Sequence, residues 1–198
     1  MTWQSEFWSW MSPSAVKVGT IPAVGDKAQA APKLEVALQD GKATIVSFLR
    51  HCGCPFAEKN FINLRALAPA HPHIQFVAVS HSDQAATDRW LAALPEPSKN
   101  SQPNLRIIVD AEREAYGAWG LGTSSFWHVL GSIPSVSRLD KEEGIKVRST
   151  ESGNRWQTAG NFGVDAQGIV RWSRKDERAD DMPDFNEGIR AILRSEEK

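Results

Sequence analysis

Cys52 and Cys54 are the only thiols in a chain of 198 residues, and a single glycine, Gly53, separates them. They belong to the run Phe48-Leu49-Arg50-His51-Cys52-Gly53-Cys54-Pro55-Phe56. The β-branched, apolar segment 44–49 reads as a buried strand. Pro55 suits a first helical position, where its missing N–H would go unpaired in any case. Cys54 is thus expected at a helix start, where the helix dipole and free N–H groups favour a thiolate. Arg50, and His51 when protonated, would push the same way. These residues spell nucleophilic sulfur chemistry, with Cys54 as nucleophile and Cys52 as partner or bystander.

A Cys52–Cys54 disulfide needs Cα atoms about 4.4–6.8 Å apart. Two residues of extended chain span about 6.6–7.2 Å, so closure would require Gly53 to bend the backbone. Metal binding finds little support: the histidines, at 51, 71, 73, 81 and 128, lack zinc-type spacing. His71-Pro72-His73 reads as a solvated turn. His81 follows the second expected strand and suits a general acid or base at neutral pH, or else a surface loop. Trp119, Phe126, Trp127 and His128 could wall a pocket beside the cysteines, although aromatics there also suit a core. Glu58, one turn into the helix, is expected on a solvated face.

The elements that must position these residues follow from periodicity. Ala57, Phe61, Leu64 and Ala68 mark one face of a helix from Pro55, ended by Pro69. Strands are expected at 74–80 and 105–109, and helices at 84–94, with Ala86, Trp90 and Ala93 inward, and up to Tyr116. A hairpin over 161–173 turns at Gly168. A final helix starts near Pro183 and buries Phe185, Ile189 and Ile192. A short helix is expected over 33–39, and 132–155 reads as a long polar connection without a period. Alternating strands and helices imply an α/β sandwich: a central mixed sheet with helices on both faces. Residues 1–32 read as an extended arm before one domain over 33–198. Trp3, Phe7, Trp8 and Trp10 in that arm either lie over the domain or offer a dimer or ligand surface.

Composition narrows the partners. A net charge of −1, with 41% hydrophobic and 24% charged residues, suits a globular domain. It gives no reason to expect nucleic acid or an anionic membrane as partner. No apolar run approaches the 18 or so residues of a membrane span, and the N-terminus lacks a secretory pattern. A cytoplasmic location is therefore expected, where close cysteines are more often redox-active or metal-binding than structural.

The motif order resembles the thioredoxin-like fold in its peroxiredoxin-like AhpC/TSA branch, and within it a subgroup with an Arg-His-x-x-Cys-Pro segment. The matching residues are Arg50–Phe56, Asp110 with Tyr116-Gly117, Trp156–Phe162, Asp165–Gly168 and Ala179–Asp184. The resemblance covers roughly residues 33–194 and implies a thiol-dependent oxidoreductase without a bound cofactor. Cys54 would attack a peroxide or a substrate disulfide. Cys52 or an external thiol would resolve it, and a cellular thiol would restore it. Pro55, Phe56 and His81 would line the pocket, and a homodimer is compatible with the family. The chain departs from the pattern at Ala57, where the family has a second cysteine. It departs also at His51, where Thr or Ser is usual, and near Ala159, where an arginine is usual and for which Arg50 or Arg155 would substitute. The alternative reading keeps the fold and gives it a non-peroxidase role: a biosynthetic enzyme on a larger apolar substrate, or a binding or dimerisation module.

Overall fold

The structure, a computed structural model, describes residue 10 and residues 15–34, 41–124 and 133–196. Its centre is β1 (Thr44–Phe48), whose five residues are all buried. β1 pairs in parallel with β2 (Gln75–Ser80), which pairs in parallel with β3 (Leu105–Val109). On its other side β1 pairs antiparallel with β4 (Gly160–Val164), followed by β5 (Val170–Lys175). The sheet order is β3-β2-β1-β4-β5. Phe48 registers with both Val79 and Gly160. The ends of β1, β2, β3 and β5 and the start of β4 therefore meet at one edge, and the cysteines follow β1 there.

Strand alternation divides the apolar residues between two cores. Ile45 and Phe76 face a core shared with α1 (Pro55–Leu67), α2 (Gln84–Ala93) and α5 (Phe185–Glu196). Val46, Phe48, Val77 and Val79 face the other, filled by Tyr116, Trp119, Leu121 and Phe162. Among the described residues a short helix, α3 (Glu114–Ala118), lies on this second face. Ala31 and Leu34 of the N-terminal segment complete it. That segment docks by backbone: Gly19 donates to Gly117, Gly25 to Val170 and Ala28 to Gly168, each at 2.8 Å.

Asp110 explains the Asp-to-Tyr-Gly spacing. Its carboxylate accepts N–H bonds from Glu114, Ala115 and Tyr116 at 3.2, 2.9 and 3.3 Å and so caps α3. The hairpin turn is as expected, with Gly168 at φ +80°. Phe185, Ile189 and Ile192 are the buried face of α5, also as expected.

Two expectations are corrected. The stretch 132–155 contains a helix, α4 (Ile133–Glu143), before an extended segment. Leu139 is buried and Val136 packs against the first core. Two apolar residues three apart were too few to register as a period. On α2, Ala93 is exposed and Thr87 takes the inward place. Of the helix expected over 33–39, residues 32–34 are helical and the remainder lies outside the described residues.

Candidate active site

Cys54 is the N-cap of α1. Its φ of −76° and ψ of 125° are extended, and Pro55 takes the first helical position. The Cys54 N–H donates to the His51 carbonyl (3.1 Å), and its carbonyl accepts from Glu58 N–H (3.1 Å). The side chain makes no capping bond, so the thiol stands at the positive end of a 13-residue helix without serving as its cap. The loop before it turns at Gly53, with φ +105°.

Cys52 occupies a different environment. Its sulfur lies 3.6 Å from Ser80 Oγ and donates to Thr87 Oγ1 at 3.7 Å. Its N–H donates to Ser82 Oγ (3.0 Å). Burial pushes this thiol's pKa up, and bonds to Ser80, Ser82 and Thr87 oppose that only in part. Cys52 also lines a cavity of about 170 Å³ with Gly53, Ala86, Trp90, Arg148 and Ser149. Both cysteines are free and buried.

Residues 145–155 form a strap over this loop. Arg148 N–H donates to the Gly53 carbonyl (3.1 Å). A Cβ on Gly53 would lie 2.7 Å from the Ser149 carbonyl oxygen, so only glycine admits the strap at this distance. Ser82 Oγ donates to the Ser152 carbonyl (2.9 Å), and Asp83 N–H to Ser152 Oγ (2.9 Å). Arg148 reaches on to Glu58, donating from Nε to Oε2 at 2.7 Å and from Nη2 to Oε1 at 3.1 Å. Glu58 is therefore buried and ion-paired, not solvated.

Arg50 supplies the fixed positive charge. It is buried, and Nη2 donates to the Arg155 carbonyl (2.7 Å). Its Nε and Nη1 find no acceptor among the described residues. His51 carries no such charge at neutral pH: burial above all, then Arg50 and Arg155, hold its pKa well below the usual value. His81 is buried, not a surface residue. Burial lowers its pKa to about 4, against the contact of Nε2 with the Asn154 carbonyl oxygen at 3.1 Å. Both histidines are thus neutral near pH 7. Tyr116 lies beneath, its hydroxyl 2.7 Å from the carbonyl oxygens of Leu49 and Val79, tying the ends of β1 and β2 together.

The structure brings Arg50, His51, Cys52, Cys54, Pro55 and His81 to one sheet edge. Trp119 is excluded from the pocket: it is fully buried against Phe48 and Phe162. Phe56 is likewise buried in the first core. Trp127 and His128 lie outside the described residues. Three polar groups escaped sequence reasoning: the Ser80/Ser82/Thr87 hydroxyls, Arg148, and Asp176. Burial raises the pKa of Asp176 to about 7 with a contribution from Asp181, against Arg50, Arg174 and a bond from Asn161. Among the described residues there is no cluster of side chains suited to a metal, and no helix is long and apolar enough to cross a membrane.

Comparison with known proteins agrees with this fold. The family described as AhpC/TSA antioxidant enzyme matches residues 63–178, more than half of the chain, in a span that begins downstream of Cys54. Among curated proteins none matches. A thiol peroxidase from Chromobacterium violaceum superimposes with a TM-score of 0.55 at 14% identity, covering 93% of each chain. A peroxiredoxin-like protein from Aquifex aeolicus gives 0.57 at 16%, covering 91% of each. A PrxQ mutant from Xylella fastidiosa gives 0.59 at 10%, covering 91% of this chain and 100% of the other. At such identities the likeness establishes the fold.

Proposed function

The chain belongs to the AhpC/TSA antioxidant-enzyme family, and from that premise we propose that it is a thiol-dependent oxidoreductase in which Cys54 attacks a peroxide. The observation that carries this reading is the position of Cys54: a free thiol at the N-cap of α1, on the sheet edge where β1 ends. The helix N-terminus favours the thiolate, and the guanidinium of Arg50 adds a positive charge at the same edge.

In the reaction, the Cys54 thiolate attacks the nearer oxygen of the O–O bond. An S–O bond forms, the O–O bond breaks, and the departing hydroxide or alkoxide takes up a proton. Cysteine is left as a sulfenic acid. A second thiol then displaces water to give a disulfide, and a further thiol reduces that disulfide. The family's usual second cysteine is Ala57 here. Cys52 faces the Ser80 and Thr87 hydroxyls with a raised pKa, so an external thiol is the favoured resolving group. Arg50 takes the place of the arginine absent at Ala159, its Nε and Nη1 having no acceptor among the described residues and so suiting a peroxide oxygen.

The test is peroxide consumption coupled to a small thiol. Cys54→Ser is expected to remove turnover, whereas Cys52→Ser retains most of it. Activity surviving in Cys54→Ser, or a wild type inert with peroxides, rejects the reading.

A further inference from the structure

Glu58 stands one helical turn beyond Cys54, joined to it by the 3.1 Å bond from the Glu58 N–H to the Cys54 carbonyl. Positions four apart share a helix face. A solvated glutamate there would merely suit the helix dipole. This one is 2% exposed, so its charge is little screened by solvent, and a carboxylate disfavours a thiolate on the same helical turn. Arg148 answers it with two hydrogen bonds. Arg148 comes from the strap, 90 residues along the chain. Its backbone N–H holds the Gly53 carbonyl, on the other side of Cys54. One residue therefore grips the segment before the thiol and the side chain after it.

We propose that Arg148 is a positioning residue for Cys54: seated on Gly53 by the strap, it neutralises the buried Glu58 carboxylate, so that closing the strap and strengthening the nucleophile are one event. This rests on the reading of Cys54 as the attacking thiol. The other charged groups of this corner are distributed differently. Arg50 lies on the loop itself, Lys59 pairs with Glu143 of α4, Arg155 donates to Thr150, and Arg89 pairs with Glu151 of the strap. Lys59 and Arg89 are thus engaged by other carboxylates, while Arg148 hydrogen-bonds Glu58. With the strap lifted, Glu58 would face Cys54 unpaired and the thiolate would be disfavoured. Reactivity is thereby confined to the closed state.

The experiment follows alkylation of Cys54 by iodoacetamide from pH 5 to 10 in a Cys52→Ser background. The pH midpoint is the readout, since a change in access alone scales the rate at every pH and moves only the plateau. Arg148→Met is expected to shift the midpoint up by about one unit, as one uncompensated charge on the same helical turn should. Arg148→Lys keeps most of the original profile, and adding Glu58→Gln to Arg148→Met restores it. An unmoved midpoint in Arg148→Met, or no restoration in the double variant, overturns the proposal. Should Arg148→Met fail to fold, Glu58→Gln alone decides: its midpoint must fall, and an unchanged or higher one rejects the idea. Alkylation needs no peroxide, so a failed peroxidase assay rejects the proposed function without being mistaken for failure here.

Discussion

At the scale of single residues, two thiols two positions apart have opposite surroundings. Cys54 ends a loop and begins a helix, and this could be read from Pro55 and the strand pattern before Arg50. Cys52 is governed by Ser80, Ser82 and Thr87, about 30 residues away in the chain, which no local pattern announces. Its pKa is raised because burial outweighs these hydroxyl bonds. In a Cys54→Ser variant, alkylation of Cys52 is therefore expected to have its midpoint above that of free cysteine, and Thr87→Val should move it higher still by removing one compensating bond. A midpoint at or below the free value would contradict this account. His51 and His81 carry a similar lesson. Their residue type suggests charge near neutral pH, and burial decides otherwise.

At the scale of elements, the cysteine loop and the strap depend on each other through Gly53. A side chain there would meet both an unfavourable φ of +105° and a carbonyl oxygen 2.7 Å away. Gly53→Ala should destabilise the protein by about 1–3 kcal/mol, read as a lower urea midpoint, and should speed alkylation of Cys52 by loosening the strap. An alanine variant as stable as the parent would show that the strap does not rest there. The β–α alternation, the capped α3 and the amphipathic α5 were legible because each states its period locally. α4 was not, since two inward residues suffice when a packed core is already in place. The strap has no period at all. Its path is fixed by hydrogen bonds to Gly53, Ser82 and Glu58.

At the scale of the whole molecule, buried ionisable groups at one sheet edge set how stability depends on pH. Asp176 has a folded pKa of about 7 against an ordinary 3.8. Its favourable contribution is complete below about pH 4 and is lost as pH rises through 7. The change is on the order of a few kcal/mol at most. His81 runs the other way: with a folded pKa of about 4 against 6.5, stability is lost as pH falls through that window, and His51 adds in the same direction. Asp176→Asn should therefore gain on wild type between pH 5 and pH 8.5 in urea unfolding. Equal differences at the two pH values would show that the carboxyl titrates normally.

The sequence by itself determined the fold class, the order of strands and helices apart from α4, and the placing of Cys54 at a helix start, because strand alternation, helix faces and a proline at N1 are written in neighbouring residues. Tertiary structure alone decided which charged groups share the sheet edge with that thiol. It buried Glu58 and paired it with Arg148, neutralised two histidines, turned Trp119 into the core and set Asp176 at the sheet edge that carries Arg50. The physical reason is that charge state depends on burial and on partners distant in the chain, neither of which a local pattern records.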